Sequence, residues 1–167
     1  THVQIVPRLF TSICYSNAAN GTGILDEMKI FVINNNATVC KIGTFYFVSG
    51  TDFICRDWEN IGAVTAGSTQ TFTGKNCDVI TGDYIGCYQE GAELAGIASG
   101  VGLYDVASHD SLTDKLQHTY GYYNYQVDIY ATGASADALT VTIQAASSVT
   151  GSSMTGISNA SGNNGAS

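Results

Sequence analysis

Residues 39–48 read Val-Cys-Lys-Ile-Gly-Thr-Phe-Tyr-Phe-Val, and this stretch constrains the fold more than any other. With the two-residue period of a strand, Val39, Lys41, Gly43, Phe45 and Phe47 share one side. Cys40, Ile42, Thr44, Tyr46 and Val48 share the other. Both sides are mostly apolar, so the pattern predicts a strand buried on both faces. Ser49-Gly50-Thr51-Asp52 then supplies a hairpin turn, and 53–56 is the expected return strand.

The same alternation of short apolar segments and turn residues covers the chain. Strands are expected at 3–5, 9–15, 28–33, 61–64, 69–72, 76–80, 84–88, 101–104, 120–132 and around Leu139, Val141 and Ile143. The segment 3–5 lies beside the single proline, Pro7, which suits an edge. Asn17 to Gly23, Asn34 to Asn36, Ala66 to Ser68 and Thr81-Gly82-Asp83 read as loops or turns. The Gly- and Ala-rich stretch 89–102 reads as a loop with a short strand, and Ser111 to Asp114 resembles a capping box opening a turn of helix at 111–117. Helix formers are scarce, strand formers plentiful, and no fixed-period repeat is visible. The predicted class is all-β: an antiparallel β-sandwich, with a jelly roll as first choice.

At 167 residues and 44% hydrophobic, one domain can bury a real core. Two parts are expected: a sandwich over 1–144 and a C-terminal tail over 145–167. The tail carries no charge and is almost wholly Ala, Ser, Thr, Gly and Asn, with Val149, Met154 and Ile157 as its larger apolar residues. It reads either as a linker or as an arm that packs on a neighbour. The formal charge of −8, with six Lys and Arg, leaves no basic footprint for nucleic acid or an anionic membrane. No apolar run reaches the length of a bilayer span. The chain starts at Thr1 without a leader-like pattern, as expected if a leader was removed, a longer chain was cut, or the numbering starts late.

Five cysteines, Cys14, Cys40, Cys55, Cys77 and Cys87, cannot all pair internally, and no zinc-type spacing links them. Buried free thiols are one reading. The other is a Cys77–Cys87 bridge, which a three-residue hairpin loop at 81–83 would place in direct opposition.

Candidate chemistry is sparse. Asp105, His109 and Asp110 form a carboxylate–imidazole group able in principle to hold a metal or make a catalytic pair, but no nucleophile motif accompanies it. Acidic residues dot the turns (Asp52, Asp57 and Glu59; Asp78 and Asp83; Glu90 and Glu93) and read as solvated carboxylates without a DxDxDG loop, so no cofactor is expected, calcium being the one such turns could supply ligands for. Trp58, Tyr120 and Tyr122 are the candidate exposed rings for stacking on sugars. Sequons at Asn20, Asn36 and Asn159 lie in expected loops or the tail.

The pieces KIGTFY (41–46), FICRD (53–57), IGAVTAGS (61–68), QTF (70–72), TGDYIG (81–86) and DIYATG (128–133) resemble a loosely defined group of jelly-roll-like β-sandwich domains in bacteriophage and environmental structural proteins. The resemblance spans about two thirds of the domain, and its most telling piece is Gly-Asp-Tyr-Ile-Gly. It implies a structural or adhesive module and transfers no catalytic residue. The expected function is therefore a non-enzymatic subunit of an extracellular assembly: a virion, fibre or surface filament. It would assemble with copies of itself or neighbouring proteins through the tail and through Val3 and Ile5. The alternative is a lectin-like module, calcium-dependent or not. A hydrolase built on Asp105 and His109 comes third.

Overall fold

The computed structural model describes residues 2–5, 9, 11–97, 101–107, 109–136 and 140–144, with backbone alone for 2–5, 97 and 140–144. Two layers make up the molecule. Six strands close into an antiparallel barrel: β2 (Ser12–Ala18), β4 (Val39–Ser49), β5 (Asp52–Asn60), β7 (Tyr84–Glu90), β9 (Gly102–Asp105) and β10 (Gln117–Tyr123), in the order β10-β5-β4-β7-β2-β9. The other layer is an antiparallel sheet of β1 (His2–Ile5), β3 (Gly23–Asn34), β6 (Thr69–Val79), β8 (Glu93–Ile97), β11 (Gln126–Val127), β12 (Ile129–Ser135) and β13 (Thr140–Gln144). No helix occurs among the described residues, hence none long and apolar enough to cross a membrane.

The two-faced strand explains the layering. Phe45 of β4 points into the barrel and packs with Ile13, Phe53, Cys55, Tyr88, Leu103, Leu112 and Tyr120. Cys40 and Ile42 of the same strand point outward into a second core. There they join Cys14, Ile85 and Cys87 of the barrel wall against Leu25, Met28, Ile30 and Val32 of β3 and Ile129 and Ala131 of β12. One wall thus serves two cores, and each large apolar side chain buried there contributes about 1.5–3 kcal/mol. Burial on both faces holds for the middle of β4, whereas Phe47 and Val48 emerge at 48% and 39% exposure past the barrel rim.

Several expectations change. The 81–83 turn does not fold β6 back on β7. β6 pairs with β3, while β7 pairs with β4 and β2, so both edges of β7 are taken and the turn hands the chain from sheet to barrel. Cys77 consequently lies opposite Leu25, and Cys87 lies opposite Ser12 and Ile42. All five thiols are free and buried, so the Cys77–Cys87 bridge is not formed.

The expected long strand over 120–132 is three pieces, because it leaves the barrel as β10 and joins the sheet as β11 and β12. Residues 111–114 are turn and bend rather than helix, and Gln117 already begins β10: Ser111 spends its hydroxyl on the Tyr120 hydroxyl (2.7 Å), and Lys115 takes a left-handed φ of 53°. Residues 61–64 make only an isolated bridge, between Val64 and Ala37. The edge strand near Pro7 pairs within this chain on one side, Val3 opposite Gly96 and Ile5 opposite Leu94.

Candidate functional site

Asp105 ends β9, where its backbone N–H donates to the Thr11 carbonyl. The pairing of Tyr120 with Asp105 brings the start of β10, and with it His118, to the same end of the barrel. The intervening loop is tied back to residue 11. The Thr11 N–H and hydroxyl both donate to the His109 carbonyl, and the Ser111 N–H donates to the Thr11 hydroxyl oxygen at 3.0 Å.

The result is two imidazoles between two carboxylates. Asp105 is fully buried. Its Oδ1 accepts the Ala107 N–H at 2.8 Å, but its buried Oδ2 has no hydrogen-bond partner. That oxygen lies 3.4 Å from Nδ1 of His109 and 3.4 Å from Nδ1 of His118. On the far side, Asp114 Oδ2 lies 3.5 Å from His109 Nε2 and 2.9 Å from His118 Nε2. The rings stand 4.3 Å apart, edge to face. Partial burial pushes the Asp114 carboxyl up, but the Leu116 N–H and the His118 ring outweigh it and hold it below the usual range.

The sequence grouped Asp105, His109 and Asp110. The structure keeps the first two and removes the third, since Asp110 pairs with Lys41 on β4. His118 and Asp114 take its place. Their four-residue spacing was visible, but only the β9–β10 register brings them to Asp105. Among the described residues, the nearby Ser111 is buried and its hydroxyl is engaged with Tyr120.

The candidate sugar-stacking rings separate. Tyr120 is 2% exposed inside the barrel, which removes it. Its odd–even phase was readable, but the inward face of β10 was not. Trp58 is half-buried against the barrel core with the Lys41 ammonium 5.1 Å over its ring. Tyr122 is 59% exposed. The β5–β10 register sets it about nine residue steps from Trp58, roughly 30 Å along the strands. Tyr122 instead belongs to an aromatic ledge missed by the sequence reading: Tyr15 lies 6.3 Å from Tyr122 and 5.0 Å from Tyr84, and exposed Phe47 packs on Phe53 at 5.6 Å.

The acidic turns disperse. Asp52 binds Gln117 and Thr119, Asp57 accepts the Asp78 N–H, Glu59 accepts the Asn76 N–H, and Glu90 accepts from the Tyr88 hydroxyl. Asp83, 2% exposed, takes a two-pronged Arg56 pair at 2.5 and 2.9 Å. Among the described residues, only Asp105, His109 and His118 gather as potential metal ligands. Asn20 and Asn36 are exposed, whereas Asn159, Val149, Met154 and Ile157 lie outside the described residues. A surface cleft of about 500 Å³ beside Thr22, Arg56, Asp78 and Ala134 holds no histidine or cysteine.

One more feature bears on function. Among the described residues β6 pairs with β3 alone, and along its other side the Asn76–Asp78 end is held by Asp57, Glu59 and Thr44 of the barrel. From Thr69 to Gly74 the strand is largely exposed, with Thr69, Thr71 and Thr73 outward and Phe72 packed inward. Comparison with protein-family models, curated proteins and solved structures finds no match to this chain.

Proposed function

We propose that this chain is a non-enzymatic structural module of an extracellular assembly, joined to its neighbours by strand addition. The observation that carries the reading is the open edge of β6. An edge strand presents unpaired N–H and C=O groups, and a neighbouring segment satisfies them by lying alongside. The segment 145–167 of a second copy is the partner with the right chemistry, because it is uncharged and offers Val149, Met154 and Ile157 as anchors. A barrel interior filled by Phe45, Phe53, Leu112 and Tyr120 fits a module that works by packing. A sandwich-like layering of sheet on barrel wall agrees with kinship to phage jelly-roll-like modules, which forms part of the proposal.

Native mass and particle shape, by light scattering and negative-stain microscopy, test it. The protein as given should form regular assemblies, and Thr69→Lys with Thr73→Lys should return monomers of unchanged fold. Thr73 lies opposite Glu27, so a lysine there is tolerated within the sheet. A clean monomer before any substitution sinks the reading.

The aromatic ledge favours a second reading, a glycan-binding surface. Exposed rings supply the flat apolar faces on which sugars stack. Tyr122→Ala should weaken retention on a glycan array by about tenfold, the loss of one good stacking contact of roughly 1.4 kcal/mol. Unchanged retention removes Tyr122 from the contact.

A further inference from the structure

We infer that Asp105, His109 and His118 form a binding site for one divalent transition-metal ion of the zinc class, with Asp114 orienting the two imidazoles from behind. Geometry carries the first part. Zinc held at about 2.0–2.1 Å in a tetrahedral site sets neighbouring donor atoms about 3.3–3.4 Å apart. Asp105 Oδ2 stands 3.4 Å from Nδ1 of each histidine, and the three residues can offer one donor each within 4.8 Å of one another.

The orphaned oxygen is the independent observation. A carboxylate 1% exposed, with Oδ2 unpartnered, is costly unless a cation or donor faces it. Its neighbours at 3.4 Å are ring nitrogens too distant for good hydrogen bonds, so the oxygen points at a space bounded by metal ligands.

Asp114 completes the arrangement. A histidine that binds metal through one nitrogen normally donates its other N–H to a carboxylate or carbonyl, which fixes the tautomer and raises ligand basicity. Here both Nδ1 atoms face Asp105; the Nε2 of His118 is hydrogen-bonded to Asp114 at 2.9 Å, and the Nε2 of His109 faces the same carboxylate from 3.5 Å, a looser contact that metal binding would tighten. Donor chemistry selects the ion: two imidazole nitrogens and one carboxylate oxygen suit zinc and its first-row neighbours, whereas calcium prefers oxygen throughout. His109 is 37% exposed, so the site has an entry path, and a solvent molecule would complete the fourth position. The ion would staple the end of β9, the loop carrying His109 and the start of β10, where the barrel closes.

The test is calorimetric titration of chelator-treated protein with zinc chloride, paired with thermal unfolding. One equivalent should bind per chain and raise the unfolding midpoint. His109→Gln removes a half-exposed ligand without hollowing the core. It should weaken binding at least tenfold and abolish the thermal shift. Asp114→Asn should weaken binding about 10–100-fold, the usual effect of losing an outer partner. Failure of zinc to bind, or equal affinity in wild type and His109→Gln, overturns the site. Because His109→Gln leaves all five buried cysteines in place, it also separates this site from adventitious thiol binding.

Discussion

Gly86 shows how a single residue sets the barrel. A Cβ there would meet the Phe45 ring and the Ser12 carbonyl oxygen, each at 2.6 Å. The glycine lets the Phe45 ring lie across β7 while β2 stays in register. Gly86→Ala should therefore cost about 1–3 kcal/mol, as overpacking does. The urea midpoint should fall with an unchanged slope. A midpoint equal to wild type would show that Phe45 and β2 yield without strain. Neighbouring Asp83 fixes the other end of the same motif by binding Arg56, whose guanidinium this carboxylate holds further toward its charged form. The Gly-Asp-Tyr-Ile-Gly piece was legible as a turn followed by a strand. Its two structural duties, a close approach and a buried ion pair, were not, because both partners lie far away in the chain.

At the scale of elements, local pattern located most strands and mis-assigned some partners. Thr81-Gly82-Asp83 has the composition of a hairpin loop, and the Asp83 N–H does close on the Ile80 carbonyl at 2.9 Å. A tight turn does not decide whether the flanking strands pair; here β7 already has β4 and β2 at its edges. The Cys77–Cys87 opposition fell with that hairpin. The 120–132 segment failed for a related reason. Its alternation runs on, while its hydrogen-bond partners change from β9 and β5 to β8 and then β3. The candidate metal cluster was half legible: Asp105 and His109 are neighbours in sequence, but His118 arrives only through the β9–β10 register. Asp110 was the wrong third member because Lys41 draws it to β4.

For the whole molecule, two cores share the barrel wall, and the cysteines report on both. Cys14, Cys40, Cys77 and Cys87 line the core between the layers, and Cys55 lines the barrel interior. Burial pushes these thiols up, Cys40 and Cys55 to about 12, so they are protonated and unreactive at neutral pH. An aromatic disulfide reagent should find no thiol in the native protein and five after unfolding in guanidinium without reductant. Three in the unfolded state would reinstate a Cys77–Cys87 bridge. Reaction of one thiol ahead of the others would mean that the layers open separately.

What the sequence by itself determined is the all-β class, the succession of strands and the two apolar faces of β4. These follow from side-chain period and turn chemistry, both written within a few residues. The tertiary structure alone decided that six strands close on themselves, that Tyr120 points inward, that β6 has one paired edge among the described residues, and that two histidines meet over Asp105. Backbone hydrogen bonds are chemically alike for every pair of strands. Which strands pair is therefore settled by how the faces of the entire chain can be buried together.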